Sequence, residues 1–199
     1  MPDVAIRPAF NHSVRQSQAA FRTVMDAMAR PGRMLPLETG FTAPAPLNAT
    51  AAAILLTLAD YETPIWLDAA LSAEPGVAAF LRFHTGARLA AAPNAAAFAV
   101  IADAAAAPPL TAFAQGTPEY PDRSTTLILQ VEALTLRGWT LTGPGIEGER
   151  AFGAAPVAEG LGAQLADNRR RFPLGVDIIF TAPGSVAALP RSTWVMEAR

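Results

Sequence analysis

Short apolar phrases alternate along this chain with stretches of helical period, and the two kinds interleave from one end to the other. That alternation restricts the architecture, because a helix and a sheet can each hide an apolar face only against another layer. Ser13-Val14-Arg15-Gln16 reads as a capping box, and Val14, Phe21, Val24, Met25 and Met28 follow on one side at helical spacing. Arg30-Pro31-Gly32 stops this leading helix, expected over about 13–30. Met34 to Leu37 reads as a strand that Pro36 demotes to an edge, and Asn48 caps a second, almost wholly apolar helix running to Asp60. Pro64 to Leu67 and Phe98 to Ile101 read as strands on either side of a helix from Ser72 to Phe83. Pro75 sits in the first turn of that helix and Gly86 closes it.

Farther along, Pro108 to Ala114 reads as a short helix ended by Gly116. Thr125 to Val131 and Trp139 to Thr142 read as strands separated by a turn near Arg137-Gly138. Val157 to Asn168 is a weaker helix because Gly160 and Gly162 each cost about 1 kcal/mol against Ala. Val176 to Thr181 and Val186 to Leu189 flank Ala182-Pro183-Gly184-Ser185 as a hairpin. The pattern predicts an α/β layered domain with a mixed sheet, one unit spanning 1–199.

What this chain lacks bounds its chemistry. It has no Cys, and all 15 of its basic residues are Arg, so Lys is absent too. Without Lys there is no Schiff base with pyridoxal phosphate and no P-loop contact to phosphate; without Cys there is no thiolate zinc site, iron–sulfur cluster or thiol nucleophile. The two His, His12 and His84, are too few for a His-rich metal site, and no metal is expected. A net charge of −2 gives no electrostatic reason to bind nucleic acid or an anionic membrane. No apolar run reaches the ~18 residues of a membrane span, and the start of the chain, with Asp3 and Arg7, has no apolar leader, so the cytoplasm is the expected compartment.

Arg must then do most of the anion binding. Arg82 and His84 lie two apart at a helix end, so on a helix their side chains diverge by about 200° and only an extended segment would let them converge. The Thr142-Gly143-Pro144-Gly145 turn, with Glu147, Glu149 and Arg150 after it, can bring backbone N–H groups to a phosphate, but Pro144 removes a donor and two Glu oppose an anion; a structural turn is the better reading. Arg169, Arg170 and Arg171 suit a solvated helix end, a phosphate site or a carboxylate-rich partner. Asp177, inside an apolar strand phrase, needs a partner if buried, with Arg191 or Arg150 as candidates. Asp60 and Glu62 read as a turn before Thr63-Pro64. The candidate ligand-binding residues are therefore Arg82, His84, Arg150, Arg169, Arg170, Arg171 and Arg191; no catalytic residue is identified.

Seven phrases in order carry a resemblance. They are Phe21-Arg22 with Met25, Met28 and Arg30-Pro31-Gly32; Leu55 to Asp60 with Thr63 to Leu67; Leu81 to Gly86; Ser124 to Val131; Leu141 to Ile146; Phe172 to Asp177; and Ala188 to Arg191 with Thr193. Together they resemble the family of the H component of the carbon–phosphorus lyase system, the machinery of bacterial phosphonate utilisation. The resemblance implies membership of a core complex with the G, I and J components, pairing most directly with J, and an ability to form a homodimer in isolation. It implies a part in displacing adenine from ATP by an alkylphosphonate, giving a ribose 1-alkylphosphonate 5-triphosphate, with the chain not catalytic alone. It also implies a fold similar to the pyridoxal-phosphate-dependent transferases without the cofactor. An organising role in the complex is the leading expectation, an Arg-lined phosphate or nucleotide site the alternative, and an independent enzyme on the transferase fold a third.

Overall fold

The computed structural model describes residues 9–10 and 13–197. Asp3, Arg7 and His12 lie outside the described residues. A six-stranded mixed sheet forms the centre. Its strands are β1 (Leu35–Pro36), β2 (Ile65–Leu67), β3 (Phe98–Ile101), β4 (Thr126–Gln130), β7 (Asp177–Ala182) and β8 (Ser185–Leu189). In space they run β1-β8-β7-β4-β3-β2, with β7, β4, β3 and β2 mutually parallel and β8 antiparallel to both β7 and β1. Two residues long and containing Pro36, β1 sits at an edge, where a missing N–H costs no ladder bond.

The central strands are apolar on both faces, and the period of two sorts them between two cores. Val100, Ile128, Ile179 and Ala188 face one side, where α1 (Ser13–Ala29), α2 (Ala49–Leu58) and α4 (Pro75–Thr85) cover them. Ile101, Leu127, Leu129, Ile178, Phe180 and Leu189 face the other. There they meet a second, three-stranded antiparallel sheet, β6-β5-β9, made of β5 (Ala133–Thr142), β6 (Arg150–Ala155) and β9 (Trp194–Glu197). Leu161 and Leu165 of α5 (Leu161–Arg170) complete that layer.

The sequence predicts a mixed α/β sheet, and that is the architecture found. Four local expectations need correction. The helix expected over 72–83 is two elements, a short α3 (Ala69–Ser72) capped by Asp68 and then α4, because Pro75 starts a helix rather than continuing one. The segment 108–114 shortens to a 3₁₀ turn at Leu110–Ala112. Arg137-Gly138 is not a turn: β5 runs straight through it, with a register shift between Thr135 and Trp139 that absorbs the extra residues as a bulge. On α1, only Ala20, Val24 and Ala27 are buried, whereas Val14, Phe21 and Met25 face solvent.

Candidate functional site

In an open parallel sheet, ligands usually bind outside the carboxyl ends of the strands. Here those ends are closed by the protein's own side chains. Asn48 caps α2 by accepting from the Ala51 N–H at 2.7 Å, and its Nδ2 donates to Thr181 Oγ1 at 3.2 Å. Gln130, at the end of β4, accepts from the Asn48 N–H at 2.6 Å and donates to the Pro46 carbonyl at 2.9 Å. Thr50 Oγ1 donates to the Ala182 carbonyl and accepts from the Gly184 N–H. After β2, Asp68 accepts from the N–H of Leu71 with one oxygen and from that of Ala102 with the other. At the N-terminus of α2, the natural phosphate seat in such a fold, Asn48 takes the Ala51 N–H, and Gln130 and Thr181 bond to Asn48 itself. The Asn48 cap was the part of this plug legible in the sequence; Gln130, a polar residue ending an apolar phrase, was a further sign.

The seven residues singled out from sequence separate into different places. The segment carrying Arg82 and His84 is helical, so the two diverge: Arg82 is exposed, and His84 is half-buried with its ring 4.6 Å from that of Phe80 and 5.0 Å from that of Phe83. His84 lines a depression of about 380 Å³ with Ser13 and Ser17. Arg150, opening β6, donates from Nη1 to the carbonyls of Arg30 and Pro31 at 3.3 and 2.7 Å. It holds the end of α1 onto the second sheet. Arg169 stacks on Trp194 and Phe172, Arg170 pairs with Asp167 at 2.5 Å, and Arg171 donates to the Gln115 amide oxygen at 3.2 Å.

Arg191 is the most committed of the group. Its Nε and Nη2 grip the two oxygens of Asp177 at 3.1 and 2.5 Å, and its backbone N–H donates to the same carboxylate at 2.8 Å. Nη1 and Nη2 also hold the Pro121 carbonyl and the Ser124 hydroxyl. Both side chains are about 15% exposed. The carboxylate in the strand phrase therefore has an Arg partner, and the pair ties loop 121–124 to β7. It lines part of a shallow cleft of about 490 Å³. Met28 and Ala29 at the end of α1, Pro144 and Gly145 from the Gly-rich turn, Phe172 and Pro173 after α5, and Pro190 after β8 line the rest. Its charged residues are Asp122, Asp177 and Arg191.

The Gly-rich turn has a structural reason for its glycines. Gly145 has φ +80, and a Cβ there would overlap the Ala29 carbonyl, so only Gly lets the turn press onto the end of α1. Among the described residues no group of His, Asp and Glu could hold a metal ion, and no helix is long and apolar enough to cross a membrane.

A family described as "Bacterial phosphonate metabolism protein (PhnH)" matches residues 8–196. The chain belongs to this family. A relative from Rhizobium meliloti (strain 1021) is 41% identical over 187 residues, covering 93% of this chain and 92% of that one. It is named "Alpha-D-ribose 1-methylphosphonate 5-triphosphate synthase subunit PhnH". Another, from Stutzerimonas stutzeri, is 33% identical over 190 residues, covering 90% and 86% respectively, and is named "Putative C-P lyase subunit protein HtxG". In this PhnH-family chain, four of the seven phrases that carry the resemblance meet at the cleft beside Arg191, although they are spread from Met28 to Arg191 in sequence.

Proposed function

We propose that this chain is a component of the carbon–phosphorus lyase core complex of organic phosphonate catabolism. With its partners it is required for making ribose 1-alkylphosphonate 5-triphosphate from ATP and an alkylphosphonate, and it contributes by organising the complex. The observation that carries the organising role is the scatter of its cations: the Arg residues do not converge on one pocket, and the carboxyl ends of the parallel strands are filled by Asn48, Gln130, Thr181 and Asp68. A triphosphate site needs several free donors aimed at one place. Each cation that was a candidate for that task has a local neighbour or stands apart from the others.

On this reading the chain is a single domain acting in the cytoplasm with the G, I and J components, most directly J, and it pairs with itself when they are absent. Its fold is kin to that of the pyridoxal-phosphate-dependent transferases, but it takes no cofactor; with no Lys in the sequence it has no amine to form an internal aldimine. The test is co-expression with the other core components, followed by assay of adenine release from ATP with methylphosphonate. The complex should form and turn over, and omission of this chain should abolish the activity. The isolated chain should release no adenine and show no absorbance band removed by borohydride. Adenine release that scales with this chain alone would overturn the organising role.

A further inference from the structure

The end of α5 and the start of β9 share a surface that the core does not use. Arg169, in the last turn of α5, lays its guanidinium over two rings, with Cζ 4.4 Å from the Trp194 centroid and 5.0 Å from that of Phe172. Both rings stay half exposed, at 43% and 51%. Met196, two residues along β9 and so on the same side of the strand as Trp194, is 49% exposed. Stacking holds a guanidinium flat and fixes the direction of its N–H fork. Yet among the described residues Arg169 has no carboxylate partner, and its Nε is buried without an acceptor. Buried polar groups are nearly always paired, so this orphan on Arg169 needs a reason.

The neighbouring charges say what is missing. Arg170 is neutralised by Asp167 and Arg191 by Asp177, whereas among the described residues Arg171 has only the neutral Gln115 amide. Arg169 and Arg171 therefore leave the end of α5 positive. Phe172 also lines the cleft, together with Pro173 and Met28. Exposed aromatic rings with Arg beside an apolar recess are the composition of protein-interface hot spots. A small-molecule site instead encloses its ligand and aims polar groups at it, and this cleft does neither.

We propose that Arg169, Phe172 and Trp194, with the adjoining cleft, form the docking surface for a protein partner that presents a carboxylate to the guanidinium and an apolar side chain to the cleft. This rests on the core-complex reading and deepens it by saying where on the chain the partner sits. A carboxylate on the held fork makes a charge-assisted pair shielded from water by the two rings, and Arg171 adds attraction during approach.

The test measures the affinity of the full-length protein for the purified complex of the remaining core components. Arg169→Glu and Trp194→Ala should each weaken binding about 30-fold, the scale of a hot-spot residue. Arg169→Lys, which keeps the charge and loses the flat stack, should fall between these and the parent. Tyr61→Ala, exposed on the helical side, should bind like the parent. Thermal unfolding of each free variant separates loss of contact from loss of fold. Independently of any variant, residues 169–173 and 192–196 should gain hydrogen-exchange protection in the complex. Parent protein that binds, with Arg169→Glu and Trp194→Ala binding equally well or with no protection at those segments, overturns the docking surface and leaves the core-complex reading standing. Parent protein that does not bind at all overturns both.

Discussion

Replacing Asp177 should cost more than any exposed substitution in this chain, because it strands a guanidinium. Arg191 has four side-chain hydrogen bonds, two of them to Asp177 and the others to the Pro121 carbonyl and the Ser124 hydroxyl. With the pair about 15% exposed, water cannot readily replace the carboxylate. Removing one partner of a buried pair costs about 3–5 kcal/mol, and the residual exposure here sets the expectation near 3 kcal/mol. For a chain of this size that is roughly a 6–12 °C fall in Tm. Asp177→Ala and Arg191→Ala should each show it, in urea unfolding followed by circular dichroism with an unchanged m-value. The double variant leaves no charge unpaired, so it should cost well under the sum, with a coupling of about 2–3 kcal/mol. Single variants costing under about 1 kcal/mol, or a double variant equal to the sum, would refute the view that this pair is a desolvated clamp on loop 121–124.

Gly145→Ala should destabilise by at least about 2 kcal/mol, since it adds a left-handed backbone penalty to a clash with the Ala29 carbonyl. Gly148→Ala, also left-handed but with no atom near its Cβ, should cost only about 1 kcal/mol, and denaturant midpoints compare the two. Asn48→Ala removes the α2 cap and the bond to Thr181, which should lower stability by about 1–2 kcal/mol in the same assay. Hydrogen bonds from the Thr63 hydroxyl and the Glu62 N–H hold the Asp60 carboxyl below the ordinary carboxylate range. A folded pKa that is depressed adds stability above the unfolded pKa and loses it as pH falls through the folded one. Thr63→Ala should raise the Asp60 pKa toward its ordinary value, as read by NMR titration; an unchanged titration would remove the Thr63 hydroxyl as the main cause.

Much of the fold was legible because it rests on local signals. The Asn48 cap, the Gly86 stop, the apolar phrases of β3, β4, β7 and β8, and the hairpin about Pro183-Gly184 each declare themselves within a few residues. Strands β6 and β9 did not. Arg-Ala-Phe-Gly-Ala-Ala and Trp-Val-Met-Glu have little apolar alternation of their own, and they become strands because β5 offers them a ladder on each side. The apolar spacing of α1 was visible in sequence but not which residues it buries, since the sheet takes Val24 and leaves Phe21 and Met25 to solvent.

For the site, residue types bounded the chemistry: a chain without Lys or Cys has no ε-amine for an internal aldimine and no thiolate, wherever its residues sit. The order of seven phrases likewise placed it in its family, because order and spacing survive without knowledge of contacts. Only the tertiary structure decided what the Arg residues do. Whether Arg191 meets a phosphate or Asp177, whether Arg150 faces a ligand or the Pro31 carbonyl, and whether Arg169 lies against Trp194 depend on partners 14, 119 and 25 positions away. The range of a hydrogen bond is about 3 Å in space and has no fixed measure along the chain. A guanidinium's role is therefore set by the folding of residues that its own neighbourhood in sequence does not contain.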